Sequence, residues 1–237
     1  MRLWAVVPVK ELSRAKERLA AMLPSELRRA LMLAMLEDVL SALAATPGLG
    51  GIAVVTIDPA ARRLAMTYSA RVVELGARDG HTGAVTAAAR LLRAEGCATM
   101  LTVPGDIPLV TVAEITQLLA VHRSAPAFTI APSQDERGSN AIICSPPNAV
   151  PLRFGEDSFF PHLRAAEACR IRPTVLRLPG IALDIDTPQD LAAFALQPAP
   201  TRTGALLVAN GMLVGQKAQQ HRQEASGNDH RRGSGTS

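Results

Sequence analysis

The order of apolar segments along the chain is the feature that most restricts its fold. Short runs rich in Val, Ile, Leu and Ala alternate with longer segments in which apolar residues recur every three or four positions. The short runs predict buried β-strands, and the longer segments predict helices that connect them. This order is typical of βαβ units, which build a parallel sheet covered by helices. We therefore predict an α/β fold with a mostly parallel sheet flanked by helices.

Seven strands and six helices are predicted from this pattern. The clearest helix follows Pro24 and stops before Pro47, and its apolar face repeats every four residues from Leu27 to Leu43. The predicted strands span residues 3–9, 51–56, 70–75, 99–103, 127–131, 140–144 and 174–178. The other predicted helices span residues 59–66, 83–95, 112–122, 158–168 and 188–196. The sequence does not indicate the direction of the last two strands.

Composition indicates one domain followed by a tail. The chain has 237 residues, of which 48% are hydrophobic and 19% charged, as in ordinary globular proteins. This length favours a single domain, which we place at residues 1–198. Gln, Gly, Ser, Asn and His dominate after that point, so we expect residues 199–237 to be a polar and largely disordered tail. Within the tail, residues 206–208 and 212–214 are expected to form a small strand pair.

The charge distribution argues against a nucleic-acid partner. The formal net charge is +4, but residues 199–237 carry five basic side chains against two acidic ones, so the body is close to neutral. One Trp, one Tyr and five Phe leave few rings on which bases could stack. We therefore expect no nucleic-acid partner.

The sequence shows neither an export signal nor a membrane anchor. Its apolar N-terminal run is far shorter than the about 20 residues that a spanning helix needs. Cys97, Cys144 and Cys169 are widely spaced and odd in number, which favours buried reduced thiols over disulfides or a zinc site. We expect a cytoplasmic protein with no membrane partner.

Four cations follow the first predicted strand within nine residues. In open parallel sheets, ligands bind just beyond the carboxyl ends of the strands. Lys10, Arg14, Lys16 and Arg18 lie at such a place and would surround the phosphates of a nucleoside triphosphate. The alternative is a solvated basic loop. A P-loop is excluded, because the motif G-x-x-x-x-G-K-[ST] is absent.

Acidic residues follow two other apolar runs. Asp106 stands in a Gly-Asp-x-Pro turn directly after a predicted strand, where a carboxylate can bind magnesium. Asp184 and Asp186 alternate with apolar residues, so in a strand both carboxylates would face one side and repel each other unless a cation lay between them. Together the three predict an Mg²⁺ site, while Asp190 is assigned to the start of the next helix. The alternatives are a turn Asp and helix-capping aspartates.

A fourth polar stretch follows the fifth predicted strand. Gly138 and Gly155 would let backbone amides converge on an anion, and Ser139 and Ser158 add hydroxyl groups. Ser158 also has the pattern of a helix N-cap, and His162 lies four residues further along the same helix. A packed or surface role for His162 is an equal alternative. The other four histidines show no metal-ligand spacing.

These residues fall into motifs that resemble one known family, the guanylyltransferases of coenzyme F-420 biosynthesis, which are relatives of the molybdenum-cofactor guanylyltransferases. The motifs are P-V-K-x(4)-A-K-x-R-L at 8–19, G-D-x-P at 105–108, G-[ST]-N-A at 138–141, F-G-x-x-S-x-x-x-H at 154–162 and D-I-D-T-P-x-D-L at 184–191. The resemblance implies a single-domain Rossmann-like nucleotidyltransferase fold. It also implies transfer of GMP from GTP to 2-phospholactate, phosphoenolpyruvate or 3-phosphoglycerate, with release of pyrophosphate.

The resemblance also implies roles for individual residues. It gives the GTP phosphates to Lys10 and Lys16, Mg²⁺ to Asp106 with one or both of Asp184 and Asp186, and the acceptor to Ser139, Gly155 and Ser158. Where the family usually carries G-L-N-x-A near the nucleotide, this chain has Gly80-His81-Thr82-Gly83-Ala84. No residue is therefore assigned to the guanine base.

Other interpretations stay open. The same architecture serves other bases and acceptors, so a molybdenum-cofactor-type transferase or a cytidylyltransferase is an alternative. A non-catalytic nucleotide-binding module is another. The sequence indicates neither which acid is used nor whether the protein forms a homodimer.

Overall fold

A computed structural model of the protein describes residues 3–197 and 199–213. Seven strands form one sheet in the order β3-β2-β1-β4-β6-β5-β7. They are β1 (Leu3–Pro8), β2 (Gly51–Val55), β3 (Arg71–Val73), β4 (Thr99–Thr102), β5 (Ala127–Pro132), β6 (Ser139–Ser145) and β7 (Thr174–Val175). β6 runs antiparallel to both of its neighbours, and the other pairings in the sheet are parallel. The predicted α/β fold with a mostly parallel sheet is confirmed.

Eight α-helices accompany the sheet in the described part of the chain. They are α1 (Ser25–Ala45), α2 (Pro59–Thr67), α3 (Gly80–Ala94), α4 (Val112–Ala120), α5 (Phe159–Ala168), α6 (Pro179–Ala182), α7 (Pro188–Ala195) and α8 (Arg202–Ala209). All six predicted helices are present, with ends that differ by up to three residues. The short helix α6 and the helix α8 were not predicted.

The strand β1 is buried on both faces, which explains its continuous apolar run. Ala5 and Val7 belong to the large core cluster that also contains the face of α1, while Val6 lies in a second cluster formed with α3. Successive side chains of a strand point to opposite faces, so one apolar run serves both layers. The predicted apolar face of α1 is confirmed, because Leu31, Met35, Val39 and Leu43 are each at most 1% exposed.

The strand order creates a crevice between β1 and β4. From β1 the chain first builds outward through β2 and β3, and it then returns to place β4 on the other side of β1. The segments that follow β1 and β4 therefore leave the sheet side by side and diverge. Open α/β sheets bind their ligands at such a switch point.

The packed structure extends beyond residue 198, the predicted end of the domain. Helix α8 packs on α1, and its residues Thr203 and Leu207 are fully buried. Asp38 of α1 accepts hydrogen bonds from the backbone amides of Arg202 (2.8 Å) and Thr203 (3.0 Å). The prediction of a strand at residues 206–208 is wrong, because these contacts and the Thr201 cap start a helix instead. Met212 and Leu213 form a bend rather than a strand, and residues 214–237 lie outside the described part.

None of the three cysteines, all of which lie within the described residues, forms a disulfide, and one of them is not buried as predicted. Cys97 and Cys144 are buried, whereas Cys169 is exposed because it lies at the solvent-facing end of α5. Within residues 3–197 and 199–213, none of the helices combines the length and the hydropathy needed to cross a bilayer.

Candidate functional site

A cleft of about 610 Å³ opens at the crevice between β1 and β4. This volume suits a small organic ligand. Its polar lining comes from the segments that follow β1, β3 and β4 and from the loop before α7, namely Lys10, Glu11, Ser13, Lys16, Arg78, His81, Asp106 and Asp186. Another depression, of about 510 Å³, lies between the end of β3 and α3 and contains none of the predicted site residues.

The basic loop after β1 is held in place from two sides. Asp58, the N-cap of α2, also accepts a hydrogen bond from the backbone amide of Leu12 at 3.0 Å. Burial acts to raise the pKa of Asp58, but the backbone amides that it accepts outweigh this effect and lower the pKa. On the other side, Arg28 donates to the carbonyl groups of Ala15 (3.2 Å) and Leu23 (2.9 Å). The bond joins residues 46 positions apart, so a local sequence pattern does not reveal it.

Lys16 joins the basic loop to the two acidic segments. Its Nζ donates to Asp106 Oδ2 at 2.5 Å and to Asp186 Oδ1 at 2.6 Å, and its side chain is only 5% exposed. Burial acts to lower the pKa of Lys16, but the two carboxylates outweigh burial and raise it. The Lys16 backbone is left-handed, with φ 52°, which is unfavourable for a residue with a side chain. Such strain is common where a side chain must be aimed at a site.

The three predicted metal ligands converge, although they do not lie on a strand. Residues 183–186 form an extended loop between α6 and α7 and do not pair with the sheet. The loop is fixed by the bond from the Ile185 amide to the Asp106 carbonyl oxygen (3.1 Å), which the strand-like alternation of the sequence does not reveal. Ile185 is buried, and Asp184 and Asp186 are partly exposed, so the predicted alternation persists. The assignment of Asp190 to the start of α7 is confirmed by its capping box.

Asp184 is held apart from the Lys16 contact. It accepts a hydrogen bond from Asn140 Nδ2 at 3.0 Å, and the same amide group donates to the carbonyl oxygens of Ile181 and Ala182. Burial, together with the nearby carboxylate of Asp106, raises the pKa of Asp184 to about 6. Asp184 and Asp106 are therefore close enough to repel each other.

The carboxylates suit a divalent cation, but they are not arranged around one. Asp106 Oδ1 is buried and has no hydrogen-bond partner among the described residues. An unsatisfied carboxylate oxygen is a hard ligand of the kind that Mg²⁺ prefers. However, no group of three His, Cys, Asp or Glu side chains within residues 3–197 and 199–213 is placed to hold a metal. The contacts explain why the three carboxylates do not surround a common point. Lys16 binds those of Asp106 and Asp186, whereas Asn140 binds that of Asp184.

The other predicted phosphate ligands differ in their positions. Lys10 is exposed and lines the cleft. Arg18 does not line it, and its guanidinium pairs with Glu156 at 3.1 Å, with both side chains exposed. The backbone of Arg14 belongs to the 3-10 turn Leu12–Arg14, but its side chain lies outside the described residues.

The predicted acceptor residues Ser139 and Ser158 lie together. Ser158 Oγ donates to Ser139 Oγ at 3.1 Å, and Ser139 Oγ lies 2.9 Å from His162 Nδ1. Ser158 occupies the N-cap position of α5, but its side chain makes no capping bond because it serves Ser139 instead. Gly155 has open space around its Cα. The prediction that the Gly138 amide is free for an anion is wrong, because Ser133 Oγ accepts it at 2.7 Å.

Three residues that sequence reasoning missed connect the cleft to this pair of serines. His81 lines the cleft and stacks on Phe154, with ring centroids 4.2 Å apart, and Phe154 meets His162 edge-on at 5.1 Å. Thr82 Oγ1 accepts the Phe154 amide at 2.9 Å. Burial lowers the pKa of His81 to about 4, so its imidazole is neutral at pH 7. These contacts bring residues 72 positions apart together, which a local pattern cannot show.

Arg78 is a further cation on the cleft wall. It follows β3 closely, so the rule that polar residues after strands deserve attention would have found it. It lines the cleft together with Lys10 and Lys16.

Two relatives are similar to this chain over most of its length. A phosphoenolpyruvate guanylyltransferase of Rubrobacter xylanophilus is 39% identical over 195 residues, which cover 81% of this chain and 93% of the relative. A 3-phospho-D-glycerate guanylyltransferase of Colwellia psychrerythraea is 36% identical over 203 residues, which cover 84% of this chain and 94% of the relative.

The fold has solved counterparts as well. A nucleotidyl transferase from Methanothermobacter superimposes with a TM-score of 0.54 at 18% identity, covering 82% of this chain and 95% of the other. This likeness confirms the Rossmann-like nucleotidyltransferase fold. The family model described as "Guanylyl transferase CofC like" matches residues 3–225. The resemblance first indicated by the motifs is thereby confirmed, and the chain belongs to the CofC-like guanylyl transferase family.

Proposed function

We propose that this protein transfers GMP from GTP to a small phosphorylated carboxylic acid and releases pyrophosphate, as a step of coenzyme F-420 biosynthesis. The observation that carries the proposal is the single Lys16 ammonium that bridges Asp106 and Asp186 inside a cleft. Family membership supports it, since the relatives are named for transfer to phosphoenolpyruvate or 3-phosphoglycerate. We keep 2-phospholactate as a third candidate acceptor.

The reaction mainly requires that the protein control the charge of the phosphate groups. A phosphate oxygen of the acceptor attacks the α-phosphorus of GTP, the bond to the β-phosphate oxygen breaks, and pyrophosphate leaves. The nucleophile is already an anion, so the protein need not supply a general base. Lys10, Lys16 and Arg78 line the cleft, where their positive charge would stabilise the triphosphate and the departing pyrophosphate.

We further propose that Asp106 and Asp186 hold Mg²⁺, with Asp184 as a third ligand. A bound Mg²⁺ would supply charge neutralisation between the two phosphate groups and help to align them. The unsatisfied Asp106 Oδ1 supports this role. Lys16 would then exchange part of its contact with the carboxylates for contact with the phosphates.

The proposal is tested by incubating the protein with GTP, Mg²⁺ and each of the three acids, and by measuring pyrophosphate and the mass of the product. We expect a guanylylated acid with at least one of them. Absence of pyrophosphate release with all three acids would contradict the proposal. The same assay with ATP, CTP and UTP tests the alternative of a cytidylyltransferase, which a clear preference for CTP would support.

Asp106→Ala separates the enzyme from a non-catalytic nucleotide-binding module. We expect loss of turnover while the far-UV circular dichroism spectrum is retained.

Because GTP is a cytoplasmic metabolite, we propose the cytoplasm as the site of action. The homodimer stays an open prediction.

A further inference from the structure

The His162 ring makes a hydrogen bond through each of its nitrogens. The backbone amide of Arg153 donates to Nε2 at 2.9 Å, and Nδ1 lies 2.9 Å from Ser139 Oγ. His162 is 1% exposed, in the second turn of α5. Both of its neighbours are thus fixed by the fold.

The amide of Arg153 determines which nitrogen carries the proton. A backbone N–H can only donate, so Nε2 must present its lone pair. Burial lowers the pKa of His162 to about 4, so the ring is neutral at pH 7 and its one proton is on Nδ1. Nδ1 therefore donates to Ser139 Oγ. A Ser–His pair with this polarity cannot activate the serine as a nucleophile, because the ring has no free lone pair facing it.

Because His162 donates to Ser139, the direction of the other hydrogen bonds of Ser139 is determined as well. Ser139 Oγ accepts one hydrogen bond from His162 and another from Ser158 Oγ, which fills both of its acceptor positions. No acceptor for the remaining hydroxyl proton of Ser139 is found in the described part of the chain. Ser139 is only 8% exposed, so an unmet donor there is unfavourable until a ligand oxygen arrives.

We propose that His162 is a positioning residue that holds the Ser139 hydroxyl as a hydrogen-bond donor for an anionic oxygen of the acceptor substrate. The inference rests on the proposed function and on the acceptor role that the family resemblance implies for Ser139 and Ser158. Ser139, Ser158 and His162 do not line the cleft themselves, and they adjoin it through Phe154, which contacts both His162 and the cleft residue His81. Loss of this role of His162 should weaken binding of the acid and not of GTP, because other residues form the part of the cleft proposed to bind the nucleotide.

The direct test is the protonation of the ring, measured by nitrogen-15 NMR of the full chain at pH 7. Loss of a signal in His162→Asn assigns the residue. We expect a neutral ring with the proton on Nδ1 and none on Nε2. A proton on Nε2, or a charged ring, would overturn the inference whether or not the protein has the proposed activity.

The kinetic test compares two substitutions, each of which places an amide group near the position of a different ring nitrogen. In His162→Asn the amide nitrogen can take the position of Nδ1 and still donate to Ser139. In His162→Gln the amide reaches the position of Nε2, so the donor to Ser139 is lost. We expect His162→Gln to raise the KM for the acid about tenfold while the KM for GTP changes by less than about twofold, and His162→Asn to restore most of the acid affinity.

The same comparison includes Ser139→Ala. Because His162 acts through Ser139, we expect Ser139→Ala with His162→Gln to be no weaker for the acid than Ser139→Ala alone. Equal KM values for Asn and Gln at position 162, or parallel changes in both KM values, would instead indicate a purely structural histidine. Absence of turnover in the wild-type protein with all three acids would remove the proposed function, and the NMR measurement would still decide the state of the ring. If His162→Gln does not fold, His162→Asn and the NMR measurement decide.

Discussion

At the scale of single residues, Lys16 is the most informative position in the molecule. Its ammonium lies between carboxylates that are 90 and 170 positions away in the chain. Its backbone adopts a left-handed conformation that favours glycine, so the fold accepts strain to place this side chain. An uncompensated pair of partly buried carboxylates would remain if the ammonium were removed.

The first prediction concerns this charge. We expect Lys16→Met to lower kcat/KM for GMP transfer by about 100-fold or more, because the phosphates lose a buried cation. Arg71→Met is the matched control, since Arg71 also pairs with an acid, Glu95 at 2.8 Å, but lies on the surface away from the cleft. We expect the control to change kcat/KM by less than about twofold. Steady-state kinetics of the two variants check this, and equal losses in both would contradict it.

The second prediction concerns pH and His162. Its pKa in the fold is lowered from 6.5 to about 4 by burial, so the fold favours the neutral ring. The unfolded chain binds a proton first as the pH falls, so the contribution is complete above pH 6.5 and is lost as the pH falls towards 4. Urea unfolding of wild type and His162→Asn across this range measures the effect. The free energy of unfolding should fall less steeply in the variant, and identical slopes would count against it.

At the scale of secondary-structure elements, α8 shows how a short helix can depend on a distant residue. Asp38 accepts hydrogen bonds from two backbone amides at the start of α8 and from Thr203 Oγ1 at 2.7 Å. A carboxylate at a helix N-terminus also interacts favourably with the helix dipole. This partner lies 164 residues away from Arg202, which is why the local composition predicts a tail and not a packed helix.

The third prediction tests this anchor. We expect Asp38→Ala to lower the free energy of unfolding by about 2 kcal/mol, because three donors lose a charged acceptor. Glu26→Ala is the control, since Glu26 is an exposed acid on the same helix, and we expect it to cost less than about 1 kcal/mol. Chemical denaturation of both variants checks the difference. A cost for Asp38→Ala no larger than that of the control would show that α8 does not rely on Asp38.

The elements also show what the sequence can and cannot predict. The rule that ligands bind beyond strand ends selects Lys16, Asp106 and Asp186, because each follows an apolar run in a recognisable motif. It does not select His81 and Phe154, because their stacking depends on two segments that meet only in the fold. Local alternation shows that Asp184 and Asp186 share one side, but it does not reveal the loop conformation. That conformation is determined by the hydrogen bonds from Asn140 to Asp184 and from the Ile185 amide to the Asp106 carbonyl oxygen.

At the scale of the whole molecule, ligand binding and folding are linked through the cleft. Its walls come from the segments after β1, β3 and β4 and from the loop before α7, so a ligand that contacts all of them stabilises the native state. The stabilisation grows with ligand concentration and reaches about 2.7 kcal/mol when the ligand is present at 100 times its Kd.

The fourth prediction follows from this linkage. We expect GTP with Mg²⁺ to raise the Tm of the wild-type protein by several degrees, and CTP at the same concentration to raise it less. Lys16→Met should lose most of the shift with GTP, because its phosphate contact is gone. Differential scanning fluorimetry measures both. An equal shift with every nucleotide would contradict selection of guanine, and a full shift in the variant would contradict the role of Lys16.

The bond from the Ile185 amide to the Asp106 carbonyl oxygen has a mechanical consequence for the entire protein. It ties the turn after β4 to the segment before α7, so the two acid-bearing stretches are held at a fixed spacing from each other. The loop from Lys10 to Leu19 faces these two stretches, and hydrogen bonds to Asp58 and from Arg28 anchor it. Asp58 anchors this loop without lining the cleft, so we expect Asp58→Ala to lower turnover by displacing Lys10 and Lys16, although Asp58 would contact neither substrate.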